Sequence, residues 1–147
     1  MKIGKRTTAF APAGACASGV LFTAAPAQAE SAAQTAASIC GAGYWPDSYG
    51  VFSFDGGTIY VSYNGSTDCA VLMKTVDVGT PTPTMVYIGL GDGSGGGYGG
   101  NQGDGMDNGD FTTYAGPVYV YAPGECIEVA GETVVSDYYN SGSVLCG

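Results

Sequence analysis

The sequence predicts an all-β fold, a small disulfide-stapled antiparallel β-sandwich or barrel. Three observations carry this expectation. Short runs rich in Val, Ile, Tyr and Thr alternate with period two, the pattern of half-buried strands. Gly, Pro and Asn punctuate these runs, and no long stretch has a helical period. Four cysteines, Cys40, Cys69, Cys126 and Cys146, stand in the segment that holds the runs, an even count that reads as two disulfides in a small exported protein.

Taken in order, residues 1–29 read as an export signal. Lys2, Lys5 and Arg6 precede a short, small-residue apolar stretch, and Ala27-Gln28-Ala29 supplies the small-x-small pattern that signal peptidase cleaves. That stretch is broken by Pro12, Gly14 and Gly19 and is too short to anchor in a membrane. Residues 30–39 are Ala/Ser-rich and are expected to form a flexible leader. Residues 40–147 form a single β domain. Within it, Thr58 to Tyr63 alternates, with Ile59 and Val61 on one face and Tyr60 on the other. Asn64-Gly65 follows as a hairpin signal. The partner run, Asp68 to Val76, sets Ala70, Leu72 and Lys74 on one face and Cys69, Val71 and Met73 on the other. Lys74 is expected to lay its stem on apolar surface and keep its amine in water. Pro81 and Pro83 precede a strand at Thr84 to Leu90. Residues 91–110 are dominated by Gly and Asp and read as a long surface loop. Phe111 to Ala122 reads as one strand, with Val118 and Val120 inward and Tyr119 and Tyr121 outward. Pro123-Gly124 turns the chain into shorter strands near Cys126 to Val129, Glu132 to Tyr139 and Val144 to Cys146.

Charge excludes several functions. Lys74 is the only basic side chain after position 29, against thirteen acidic ones, a formal charge of −12 with no Arg and no His. Nucleic acids and anionic membrane surfaces both need clustered cations, so neither is a partner. Without His, no Ser-His-Asp or Cys-His arrangement can be built. Oxidised cysteines offer no thiolate, and Lys74 has no motif around it for a Ser–Lys pair. Two carboxylates can hydrolyse glycosides, but thirteen acids bring some pair together in any fold. No catalytic residue and no cofactor is assigned, and the chain is expected not to be an enzyme.

Three pairings of the cysteines are open. Cys40–Cys69 and Cys126–Cys146 are favoured, because each brackets a compact set of strands and each loop stabilises by about 3–4 kcal/mol. Zinc is disfavoured by the lack of CxxC spacing and of His. Asp104, Asp107 and Asp110 are candidate oxygen ligands for calcium, yet Met106 falls where an EF-hand wants oxygen and no Glu closes the loop, so no metal is assigned. The eleven tyrosines and one tryptophan offer rings for stacking on sugars. Tyr119, Tyr121, Tyr60 and Trp45 form the candidate ligand face, with Tyr44 and Tyr63 beside them. Such tyrosines also cover sheet surface in ordinary β proteins.

The stretch YAGPVYVYAPGECIEVAG, Tyr114 to Gly131, with GGTIYVSYN at Gly56 to Asn64, the cysteine placement and the closing Cys146-Gly147, resembles the spore-associated protein A family of small proteins exported by mycelial, sporulating actinobacteria. The resemblance spans most of the chain after residue 29, and the Tyr-Ala-Gly-Pro-Val-Tyr-Val block is its most specific part. The Gly/Asp-rich loop is longer, and the chain poorer in Lys and Arg, than the family pattern. The resemblance implies an extracellular or spore-surface location and no known catalytic residues. The expectation is therefore a secreted, non-enzymatic β domain associated with cell or spore envelope material as an envelope component, with polysaccharide as a candidate partner. The alternatives are a small carbohydrate-binding module and a calcium-assisted adhesin.

Overall fold

The structure, a computed structural model, describes residues 31–91 and 103–147. The export signal at 1–29, Glu30 and the 92–102 part of the Gly/Asp-rich loop lie outside the described residues.

The first element corrects the reading of 30–39 as a flexible leader. Residues Ala32–Cys40 form a helix, α1. Ser31 caps it, its Oγ accepting from the Gln34 amide at 3.3 Å, as Ser at the N-cap does. Ala36, Ala37 and Cys40 fall on one side of the helix and are buried, so packing rather than propensity holds this short helix in place.

Among the described residues, eight antiparallel strands follow in two four-stranded sheets. The first sheet holds β1 (Trp45–Phe54), β2 (Gly57–Tyr63), β3 (Thr67–Lys74) and β6 (Tyr114–Tyr121), in that order. The second runs β5 (Gly105–Phe111), β4 (Thr82–Leu90), β7 (Ile127–Thr133) and β8 (Ser136–Asn140). The main core lies between them. Ile59 and Val61 of β2, Ala70 and Leu72 of β3, and Val118 and Val120 of β6 meet Val86 and Ile88 of β4 and Ile127 and Val129 of β7. These are the faces that period-two alternation assigns. Gly131 of β7 lets the sheets approach: a Cβ there would come 2.8 Å from both Leu72 Cδ1 and Phe54 Cζ.

Two edges close differently. On one side Phe54 stacks on Tyr139, with ring centroids 5.1 Å apart. On the other, β5 and β6 are tied across the sheets by the Gly116 amide, which donates to Asp107 Oδ2 at 2.8 Å. Gly116 has φ +100°, and a Cβ there would lie 2.9 Å from the Ala70 carbonyl oxygen. The Ala-Gly-Pro sequence is thus the irregular step in the β3–β6 register, the position that an amide-less proline tolerates.

Three further expectations are corrected. The loop at 91–110 does not run to Asp110, because β5 starts at Gly105 and pairs along its length with β4. The Phe111–Ala122 run is not one strand: β5 ends at Phe111, the chain turns at Thr112 and Thr113, and β6 begins in the other sheet. Lys74 does not keep its amine in water. It is 7% exposed, and Nζ sits among the carbonyl oxygens of Asp77 (3.2 Å), Thr80 (2.8 Å) and Phe111 (2.8 Å) and the hydroxyl of Thr82 (2.6 Å). The hairpin at Asn64 forms as expected. Its side chain accepts from the Ser66 and Thr67 amides at 3.1 and 2.9 Å, and Gly65 takes the positive φ.

Candidate functional site

The outer face of the first sheet carries the aromatic residues and is where the helix docks. α1 lays Ala36 and Cys40 on Cys69 and Val71, with Ile39, Tyr44, Tyr60 and Met73 packed around them. A disulfide joins Cys40 at the helix end to Cys69 on β3, Cα atoms 6.1 Å apart. A second joins Cys126, ahead of β7, to Cys146. The outward face of β2 and β3 is therefore covered by the chain itself.

This divides the candidate ligand face. Tyr60 is packed beneath α1. Tyr119 is 39% exposed, but its hydroxyl donates to the Cys40 carbonyl at 2.9 Å and its ring lies 5.8 Å from that of Tyr44, tilted by 53°. Burial, then the nearby Tyr119 and Asp68, push the Tyr44 phenol above its ordinary pKa. Tyr119 and Tyr44 thus hold the end of α1 against β6. Trp45 and Tyr121 do reach solvent, at 74% and 68% exposure, and so does Tyr49 at 84%. Tyr49 is a surface aromatic that the sequence reading passed over, because Pro46, Asp47, Ser48 and Gly50 around it read as turn rather than strand.

Between α1 and the start of β1 lies an open groove of about 680 Å³. It is lined by Gln34 and Ser38 of the helix, by Gly41 to Gly43 and by Tyr44 and Trp45. An indole beside an amide side chain can combine ring stacking with hydrogen bonding, the pairing that holds a sugar ring. The signal for this groove lay in Ser31-Ala32-Ala33-Gln34, an N-cap pattern with Gln three residues on.

The candidate calcium ligands are not gathered into one site. Side chains at 104 and 110 project to one side of β5 and that at 107 to the other. Asp104 Oδ2 accepts from the Tyr87 hydroxyl at 2.7 Å, and burial with this hydrogen bond raises the Tyr87 phenol pKa. Asp107 is bonded to the Gly116 amide, and Asp110 is exposed opposite Pro83. Among the described residues no three His, Cys, Asp or Glu side chains converge to hold a metal. Nor, among them, is any helix long and apolar enough to cross a membrane.

Set against known proteins, the chain is similar to spore-associated protein A of Streptomyces coelicolor (strain ATCC BAA-471 / A3(2) / M145). The two are 36% identical over 139 residues, 91% of this chain and 82% of that protein. No protein-family profile matches the chain. No solved structure matches it either.

Proposed function

The chain belongs to the spore-associated protein A family, and from that membership we propose that it is a secreted, non-enzymatic β domain held on the cell or spore surface as an envelope component. The observation that carries this reading is the likeness to a spore-associated protein over 91% of the chain. Chemistry agrees with it. Without His, and with the four cysteines of the β domain paired, neither a His-activated hydroxyl nor a free thiolate is on offer in that domain. The exposed rings of Trp45, Tyr49 and Tyr121 give an acidic protein a place to grip neutral envelope material.

Fractionating a sporulating culture into washed spores, hyphal walls and medium tests the reading. Retention on spores or walls through salt washes is the expected result, and recovery in the medium alone would sink it. The open groove favours one second reading, a carbohydrate-binding module that stacks a polysaccharide unit on Trp45. In that case Trp45→Ala should weaken pull-down on purified wall polysaccharide about tenfold and Tyr121→Ala less so. Unchanged pull-down by both would leave a protein partner as the surface attachment.

A further inference from the structure

Two of the four asparagines, Asn64 and Asn108, are followed by glycine. In that dipeptide the glycine amide nitrogen can attack the asparagine side-chain carbon, because no Cβ crowds its approach. The fold treats the two copies differently. Asn64-Gly65 is the exposed tip of the hairpin between β2 and β3. Asn108-Gly109 lies inside β5, where Asn108 stands opposite Met85 and Gly109 opposite Thr84 in a ladder with β4 that has no register shift.

At the tip, the Asn64 carboxamide is folded forward along the chain. Its Oδ1 accepts from the Ser66 and Thr67 amides at 3.1 and 2.9 Å and from the Ser66 hydroxyl at 3.4 Å, the pattern of an Asx-turn. Bonding to amides two and three residues on carries the side-chain carbon across the Gly65 peptide unit that lies between. Three donors on one oxygen also draw charge from that carbon and stabilise the oxyanion that an attack on it creates. The attacking group is free as well. Among the described residues the Gly65 amide donates to no acceptor, and Gly65 has φ +104° with open space where a Cβ would be. The other described asparagines lack this freedom. Ring closure turns the backbone out of its extended form, which at Asn108 would break the β4–β5 ladder. At Asn140 the carboxamide is folded forward in the same way, onto the Gly142 amide. There the amide between, that of Ser141, is committed to the Val129 carbonyl at 2.9 Å. Asn101 lies outside the described residues.

We propose that Asn64 is a site of spontaneous covalent modification, converting to aspartate and isoaspartate through a cyclic imide while Asn108 and Asn140 persist. The Gly65 nitrogen bonds to Asn64 Cγ, the bond from Cγ to the side-chain nitrogen breaks, and the proton lost by Gly65 leaves with that nitrogen as ammonia. Water then opens the ring at either carbonyl, and no oxidant, metal or enzyme takes part. Either product carries a new carboxylate at the end of the first sheet where Tyr63 pairs with Trp45 and Thr67 with Tyr121. Isoaspartate also lengthens the backbone inside the hairpin that the Asn64 amide and the Thr67 carbonyl close. This chemistry does not rest on the surface role.

Incubating the disulfide-bonded protein at pH 8 and 37 °C and mapping its peptides by mass spectrometry tests this, with isoaspartate methyltransferase reporting the rearranged product. The expected result is conversion at Asn64 about tenfold or more faster than at Asn108 or Asn140, because the fold protects the latter two. In the reduced, alkylated chain in guanidinium chloride the two Asn-Gly sites should convert at similar rates. Equal conversion of Asn64 and Asn108 in the folded protein would overturn the proposal. So would an Asn64 that survives in the folded protein over the time in which the unfolded chain consumes it.

Discussion

Lys74 and Asp68 stand six residues apart on one strand face, and each is an ionisable side chain in a position that core packing would give to an aliphatic one. Lys74 is fully satisfied. Its ammonium draws the 77–82 turn and the end of β5 onto the rim of the first sheet. Removing it strands several buried oxygens at once, each lost partner costing about 1–3 kcal/mol. Lys74→Met should therefore destabilise by about 3 kcal/mol or more, read as a lower urea midpoint, although Met fills much the same volume. A loss under 1 kcal/mol would mean that the ammonium is dispensable. Alternation placed Lys74 on its strand, but its burial was not legible, because Phe111 lies 37 residues away in the chain. Asp68 behaves oppositely. Burial, then Asp47, push its folded pKa up to about 6 from its ordinary value of 3.8, so the folded state holds an extra proton between those values. Stability from this residue is then fully present below about pH 4 and is lost as pH rises through about 6. Asp68→Asn, which cannot ionise, should be more stable than the parent at pH 8 by on the order of 2 kcal/mol. The gap should close near pH 4. Urea titrations at the two pH values check it, and a parent as stable as the variant at pH 8 would contradict the assignment.

At the scale of elements, the strands with clean alternation were legible and the others were not. β2, β3 and β4 follow from their apolar runs, with Ile59, Val61, Leu72, Val86 and Ile88 turned into the core between the sheets, although β3 and β4 are buried on both faces. β1 was missed because Pro46, Asp47 and Gly50 interrupt it, and it survives as an edge strand with a register shift between Pro46 and Val51. β5 was missed because GMDNGDF carries almost no strand propensity. Its pairing is dictated by the complete ladder that β4 offers and by the Asp107–Gly116 tie. α1 was missed for a related reason: nine residues are too few to be helical alone, and only the sheet beneath makes the Ala/Ser-rich segment fold. The Cys40–Cys69 disulfide fastens that docking. Replacing both cysteines by serine should lower stability by about 3–4 kcal/mol. The loss should fall unevenly. Amides of α1 should exchange with solvent several-fold faster while those of β4 and β7 keep most of their protection. Equal loss of protection in helix and sheets would show that α1 is integral to the sandwich rather than docked upon it.

Across the whole molecule, the two sheets are assembled from strands distant in sequence. β3 takes β6 as its neighbour, and the chain changes sheets between β3 and β4, between β5 and β6, and again before β7. The sandwich class could be inferred from strand number and turn spacing. This order could not, since it depends on which edges meet once the faces are buried. The same distance between sequence and assembly governs the candidate sites. The aromatic face was visible as a set of tyrosines, but which of them reach solvent was decided by α1, a helix that propensity alone does not specify. Electrostatics is the property that needs no fold to read. After residue 29, thirteen acids face one cation, and that cation is enclosed by neutral oxygens rather than by carboxylates, so the acids repel one another unopposed. Self-repulsion of this kind opposes the compact state and is relieved by salt. Between 0.01 and 0.15 M ionic strength the screening length falls from about 30 to about 8 Å, shorter than many of the distances between surface carboxylates on a domain this size. The melting temperature at pH 8 should therefore rise by about 3–6 °C over that range of NaCl, equivalent to roughly 1 kcal/mol. At pH 4, where most carboxylates are partly protonated, the rise should be smaller. A salt-independent melting temperature at pH 8 would show that the acids are spaced widely enough for water alone to screen them.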